Sequence, residues 1–144
     1  MKNLIAKLGV LAFLGLVALL VAGSAPAQNN GMRMEIPVPF IAGNTILPAG
    51  SYVVRVDQNF RLLYLQGWDI SARLPLATKS TKRPSVKLER GSLGFHKYGD
   101  AYVLRNVWNR DEADGWALAR SQKEIELVKA YPVPEATMIA EGGN

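Results

Sequence analysis

Short runs of alternating apolar and polar residues constrain the fold of this 144-residue chain most strongly. The runs are separated by turn signals that recur about every 8–12 residues, such as Gly43-Asn44, Pro48-Ala49-Gly50 and Gly99-Asp100. Gly and Asn accept positive φ, and Pro presets the first bend of a turn. The spacing predicts an all-β fold, mainly antiparallel, in the form of a small β-sandwich or barrel.

The first 27 residues are predicted to be a helical signal peptide that precedes the domain. Lys2 and Lys7 are followed by an apolar run over residues 8–22 and by Ala25-Pro26-Ala27, which is the order found in secretory signals. The apolar run is shorter than the roughly 20 residues that span a bilayer. We expect export to the periplasm or the extracellular space after cleavage near Ala27-Gln28. The alternative is that this segment is not cleaved and is retained as a membrane anchor. We expect membrane contact only through the uncleaved signal segment.

The rest of the chain is predicted to be one domain with loosely structured ends. Residues 28–33 are polar and read as a flexible arm, residues 34–131 as the β-rich domain, and residues 132–144 as a loosely ordered tail. Ser121 and Glu124 have the spacing of a capping box, which predicts one short C-terminal helix over about 121–130.

The first strand is predicted to lie at a sheet edge. Apolar and other residues alternate from Met34 to Phe40, with Pro37 and Pro39 on the same side of the run. Proline has no N–H to donate to a neighbouring strand, so such a run fits an edge position.

Charge and cysteine content limit the chemistry. The chain has no cysteine, so disulfides, thiolate metal sites and thiol nucleophiles are excluded. Cleavage would remove two lysines from a net charge of +5, which leaves a mildly basic domain. The basic segment that holds Lys82 and Arg83 is a candidate contact for phosphates or envelope polymers, or else a solvated loop. It has no aromatic residue, so we expect no nucleic-acid partner.

The segment from Leu93 to Trp108 is predicted to be a β-hairpin. Gly99-Asp100 suits a two-residue type II′ turn, which places His96 opposite Val103. Alternation then predicts two faces. The predicted inward side chains are Leu93, Phe95, Tyr102, Leu104 and Trp108; the candidate ligand or partner contacts on the outer face are His96, Tyr98 and Arg105.

No catalytic, metal-binding or cofactor-binding residue is predicted. His96 is the single histidine, and Ser92 is not in the G-x-S-x-G setting of a nucleophile. The acidic loop with Asp111, Glu112 and Asp114 does not fit the ligand positions of an EF-hand. Trp116 follows a glycine in this polar region and is a further candidate contact, either exposed or folded back over one end of the β-structure.

Three segments carry a resemblance to a family of small, uncharacterised exported bacterial proteins. They are "FIAGNTILPAGSYVV", "FHKYGDAYVLRNVW" and "SQKEIEL", and the match runs from about Ile36 to Leu127. The resemblance implies export and a compact β-rich domain, and it implies no activity or functional residue.

The leading hypothesis is a non-enzymatic module of the bacterial envelope or secreted fraction that binds an envelope component or associates with itself. The first alternative is a carrier that holds a small apolar ligand within a β-barrel, which requires an enclosed apolar cavity. An enzyme is the weakest alternative.

Overall fold

In the computed structural model, the described residues are 31–80 and 89–140. They form ten strands and one helix, which confirms the predicted all-β class with one short C-terminal helix. The helix is α1 (Gln122–Ala130). The strands are β1 (Met32–Ile36), β2 (Phe40–Ala42), β3 (Thr45–Leu47), β4 (Gly50–Asp57), β5 (Leu62–Gln66), β6 (Ser71–Ser80), β7 (Ser92–Tyr98), β8 (Ala101–Trp108), β9 (Gly115–Leu118) and β10 (Glu135–Ala140).

Strand β6 belongs to both sheets of the fold. Its first half, residues 71–75, pairs with β5, and its second half, residues 76–80, pairs with β9. We name the order β1-β4-β5-β6 sheet A and the order β6-β9-β8-β7-β10 sheet B. The β2–β3 hairpin lies beside the start of β8, and β2–β8 is the parallel pair in a fold whose other described pairs are antiparallel.

A closed barrel would require pairing between β1 and β10. These two strands lie near each other, but no pairing joins them in the described parts of the chain. The sheet is therefore open there, and the described strands form two sheets that share β6 instead of a closed barrel.

Strand β1 lies at the predicted edge position, but its bounds differ from the predicted ones. It is the terminal strand of sheet A and pairs with β4. It ends at Ile36, so Pro37 and Pro39 lie in the connection to β2. It begins at Met32, which is buried beside Gly91, so the predicted flexible arm is wrong for Met32 and Arg33.

The core lies between the two sheets, and Phe40 joins them. Its ring meets Tyr52 of sheet A edge-on, with ring centroids 5.4 Å apart. It meets Phe95 of sheet B in the same manner at 5.6 Å. Edge-to-face pairs of this kind add about 0.5–1.5 kcal/mol each beyond the burial of their area. The side chains around them are mostly aliphatic and fully buried, among them Met34, Ile36, Leu63, Leu65 and Leu104.

The β7–β8 hairpin has the predicted turn and the predicted pairing near the turn. Gly99 has φ of 59°, while Asp100 is not among the residues with positive φ, as a type II′ turn requires. Tyr98 pairs with Ala101, and His96 pairs with Val103.

Beyond these pairs, a β-bulge changes the faces of β8. Phe95 pairs with Leu104 and Gly94 pairs with Asn106, so Arg105 is an extra residue without a partner on β7. Val107 therefore joins the core, and the prediction that Trp108 points into the core is wrong. Trp108 is buried on the outer face instead, against Gly94 and Gly115, where a Cβ atom would overlap its indole.

The C-terminal region contains more strand than predicted. Glu135–Ala140 forms β10 and pairs with β7, so the loosely ordered tail is wrong for these residues. The edge of β7 offers unpaired backbone groups, and Ile139 packs against the core. Strand β9 also forms in a region where no strand was predicted.

Helix α1 occupies the predicted range, with Ser121 as its N-cap. No helix of the described residues is both long enough and apolar enough to cross a membrane. The signal peptide, the segment with Lys82 and Arg83, and residues 141–144 of the tail lie outside the described residues.

Candidate functional site

Helix α1 covers the outer face of the β7–β8 hairpin. Its residue Glu124 is only 1% exposed, although a carboxylate is rarely buried without partners. Tyr98 Oη donates a hydrogen bond to Glu124 Oε1 at 2.8 Å. Arg105 Nη1 donates to Glu124 Oε2 at 3.1 Å and forms an ion pair with it. Both carboxylate oxygens are therefore satisfied by residues of the hairpin.

His96 lies at the margin of this group, which we name the Glu124 cluster (His96, Tyr98, Arg105 and Glu124). His96 Nδ1 is 3.4 Å from Tyr98 Oη and 3.9 Å from Glu124 Oε1. Its side chain is 31% exposed. Three of the predicted contact residues are thus brought together, and the outer face that holds them is covered by α1.

Glu124 completes the cluster, and sequence reasoning gave it a different role. One of the two hydrogen bonds of the predicted capping box is present, because Ser121 Oγ accepts a hydrogen bond from the Glu124 backbone N–H. The Glu124 side chain would return to the Ser121 N–H in such a box, but here it turns to Tyr98 and Arg105. The positive charge of Arg105 draws the carboxylate inward.

The surroundings shift two pKa values in the cluster. Burial and the nearby positive charge of Arg105 lower the pKa of His96, against a smaller opposing effect of Glu124, and Arg120 lowers it further. Burial and the hydrogen bond to Glu124 raise the pKa of Tyr98. Tyr98 thus stays protonated and donates a hydrogen bond to a carboxylate that solvent barely reaches. The arrangement secures the helix on the sheet.

Of the two alternatives for Trp116, the exposed one is wrong, because the residue is 8% exposed and belongs to the core. It pairs with Val107 across β8 and β9. Opposite residues of a strand pair point to the same face, and the bulge at Arg105 has turned that face inward. Arg61 and Lys79 lie over the indole at 5.7 and 5.5 Å from its centroid.

The outer face of sheet A carries a second group, which sequence reasoning missed. Arg55 of β4 pairs with Tyr64 of β5, and Tyr64 pairs with Arg73 of β6. We name these three residues the arginine–tyrosine row. The Arg73 guanidinium lies 5.7 Å from the Tyr64 ring centroid. Arg55 has neither a hydrogen bond nor an ion pair within the described ranges.

A groove of about 470 Å³ adjoins this row. Arg55 and Tyr64 are among the residues that line it, and the β4–β5 turn contributes Gln58 and Asn59. Asp57, also in the lining, accepts hydrogen bonds from the backbone N–H groups of Asn59 and Phe60, at 3.0 Å each, and so shapes the turn.

Exposed aromatic residues flank the row at both ends of β5. Phe60, in the β4–β5 turn, is 76% exposed, and Trp68, in the β5–β6 turn, is 100% exposed. Together with Tyr64 they place an aromatic residue at every fourth position. The sequence does contain aromatic residues at the regular positions 60, 64 and 68. This spacing indicates an exposed surface only when it is also known that Leu63 and Leu65 of β5 point into the core.

The comparisons with known proteins give no relative. No protein-family model matches the chain, and neither a curated protein nor a solved structure matches it. The resemblance to small exported bacterial proteins therefore remains a prediction. Among the described residues, no group of three His, Cys, Asp or Glu side chains is placed to hold a metal ion.

We expect Glu124→Gln to lower the free energy of unfolding by about 3 kcal/mol, at the lower end of the cost of breaking a buried ion pair. The substitution leaves Arg105 without its counter-charge, although Arg105 keeps some contact with water. Urea unfolding measures the loss. Glu126→Gln, on an exposed position of the same helix, is the control and should change stability by less than about 0.5 kcal/mol. Equal losses in both variants would contradict the role of the cluster.

We also expect stability to fall as the pH falls below about 6.5, the ordinary pKa of histidine. The folded state lowers the pKa of His96, so the unfolded chain takes up the proton first and gains stability relative to the folded chain. The loss ends once the pH passes below the folded-state pKa. Urea unfolding of the protein and of His96→Asn between pH 7.5 and 5 checks this. Because the chain has one histidine, the variant should show a flatter profile, and an unchanged slope would refute the assignment.

Proposed function

We propose that the protein is a non-enzymatic binding module of the bacterial envelope or secreted fraction, and that the outer face of sheet A is its binding surface. The observation that carries this proposal is the arginine–tyrosine row beside a groove, in which Arg55 and Arg73 are exposed and Tyr64 is half-buried. Arg55 is exposed and has no charged partner in the described residues, and a charge in this state is available to a ligand.

The two outer faces differ in a way that supports this choice. The donors and acceptors of the Glu124 cluster are directed at one another and hold α1 over sheet B. No described helix lies over sheet A. A binding role thus fits sheet A, while the cluster around His96 serves the fold.

The packing between the sheets favours an outer surface over an internal carrier site. Large side chains such as Met34, Phe40 and Phe95 point into the interior and are almost completely buried. A carrier would need small residues or empty volume at such positions.

Export is supported by the order of the N-terminal segment: basic residues, an apolar run and a small-residue site. We expect the protein recovered from periplasmic and medium fractions of its own bacterium to begin at Gln28. N-terminal sequencing checks this directly. Protein in these fractions that begins at Met1 would overturn the cleavage, and protein confined to the cytoplasm would overturn the export.

The binding surface is tested with a row variant that combines Arg55→Gln, Tyr64→Ala and Arg73→Gln. The immobilised mature protein is exposed to envelope and medium fractions of its own bacterium, and the retained mass is measured by interferometry. We expect the row variant to retain at least about tenfold less material, because it loses two charge-assisted contacts and an aromatic contact.

The control is a helix-face variant that combines Arg120→Gln, Ile125→Ala and Lys129→Gln. It removes the same number of positive charges and one exposed apolar side chain from the other sheet's outer side. It should retain material as the wild type does. Equal retention by the wild type and the row variant would refute the proposed surface.

A further inference from the structure

The row has the geometry of a site for a ligand with separated negative charges. Neighbouring strands lie about 4.8 Å apart, so the backbones that carry Arg55 and Arg73 stand roughly 10 Å apart on either side of Tyr64. Each guanidinium offers a planar fork of donors that matches a carboxylate. The two arginines can therefore bind two separate carboxylates of one ligand.

The aromatic residues along β5 indicate that the ligand is long. Strand β5 spans roughly 13 Å of extended chain, and Phe60 and Trp68 lie in the turns beyond its two ends. Phe60 and Trp68 are among the most exposed apolar side chains of the described residues. A small molecule could contact one of them, whereas a polymer could contact all three.

The groove supplies neutral hydrogen-bonding groups beside Arg55. The side-chain amide of Asn59 has no partner in the described residues, and Gln58 uses its Nε2 to donate to Glu112 and keeps its Oε1. Amides donate to and accept from hydroxyl groups equally well. A ring with an apolar C–H face, several hydroxyl groups and one carboxylate satisfies the aromatic, amide and arginine side chains together.

The charge of the surface disfavours nucleic acid. A DNA duplex carries one negative charge per about 1.7 Å, and proteins that bind it present dense basic surfaces. The outer face of sheet A has Arg33, Arg55 and Arg73 but also Glu35, and Asp57 lines the groove. This balance fits a polymer with one carboxylate per sugar.

We propose that the outer face of sheet A binds an acidic saccharide chain, with its carboxylates on Arg55 and Arg73 and its sugar rings against Phe60, Tyr64 and Trp68. This assignment rests on the proposed function and names the ligand class of the same surface. The chain lies along β5, and the groove beside Tyr64 receives one of its rings.

The probe is oligogalacturonate longer than the roughly 13 Å of β5, titrated into the mature protein by isothermal calorimetry. We expect binding that the row variant loses by at least about tenfold. Trp68→Ala alone should weaken the binding of this oligomer, because it removes one of the three aromatic contacts. The helix-face variant, with the same change of net charge, should bind as the wild type does.

Three comparison ligands test which chemical groups of the ligand are responsible for the binding. Neutral dextran lacks the carboxylates, polyglutamate lacks the sugar rings, and single-stranded DNA replaces both with phosphates and bases. We expect each to bind at least about tenfold more weakly than oligogalacturonate. Equal or tighter binding of any of them, or an equal loss in the helix-face variant, would overturn the saccharide assignment.

A conservative variant separates the loss of the guanidinium geometry from a loss of folding. Arg55→Lys with Arg73→Lys keeps both charges at exposed positions but removes the guanidinium fork, and we expect an intermediate loss with an unchanged thermal midpoint. Full affinity in this variant would refute the bidentate contacts. If oligogalacturonate fails to bind while the row variant still loses envelope material, the saccharide assignment falls and the proposed function stands. If both tests fail, both proposals fall.

Discussion

The insertion of one residue, Arg105, into β8 determines the organisation of sheet B. The bulge exchanges the two faces of the strand beyond it, so that Val107 enters the core and Trp108 leaves it. Because β9 pairs with this part of β8, Trp116 follows Val107 inward. The same residue places its guanidinium on the outer face, where it attracts Glu124 and holds α1. A local irregularity of the backbone therefore fixes the core packing and the position of the helix.

This arrangement gives the two sheets different outer surfaces. Sheet B uses its polar groups to bind its own helix, and the pKa of the partly exposed His96 is lowered by burial and by the nearby charge of Arg105. Sheet A keeps Arg55 and Arg73 exposed on either side of the half-buried Tyr64, with Arg73 over the ring and Arg55 beside a groove. His96, the single histidine of the sequence, thus lies on the outer face of sheet B, which helix α1 covers.

Alternation and turn chemistry suffice to predict much of the fold, and the bulge marks where they fail. Gly99-Asp100 predicts both the turn and the pairing from Phe95 to Leu104, since these depend on local backbone preferences. Arg105 carries no such local signal, because a bulge tolerates most residues, and one undetected insertion reverses the predicted face of Trp108. Strand β10 escaped prediction for a related reason: residues 135–140 form a strand because the edge of β7 is available to them.

The arginine–tyrosine row was beyond sequence reasoning because its register depends on an unusual turn. Period two places Arg55, Tyr64 and Arg73 on outer faces, but whether they stand opposite one another depends on the turns at residues 58–61 and 67–70. In that turn Arg61 takes a positive φ of 53°, a conformation that glycine or asparagine would signal and arginine does not. Asp57 stabilises the turn by accepting two backbone hydrogen bonds, and Arg61 reaches back to the Ala77 carbonyl and the Trp116 ring. The turn that aligns Tyr64 with Arg55 also presents Gln58 and Asn59 to the groove, so the same local geometry builds the groove and the half of the row that adjoins it.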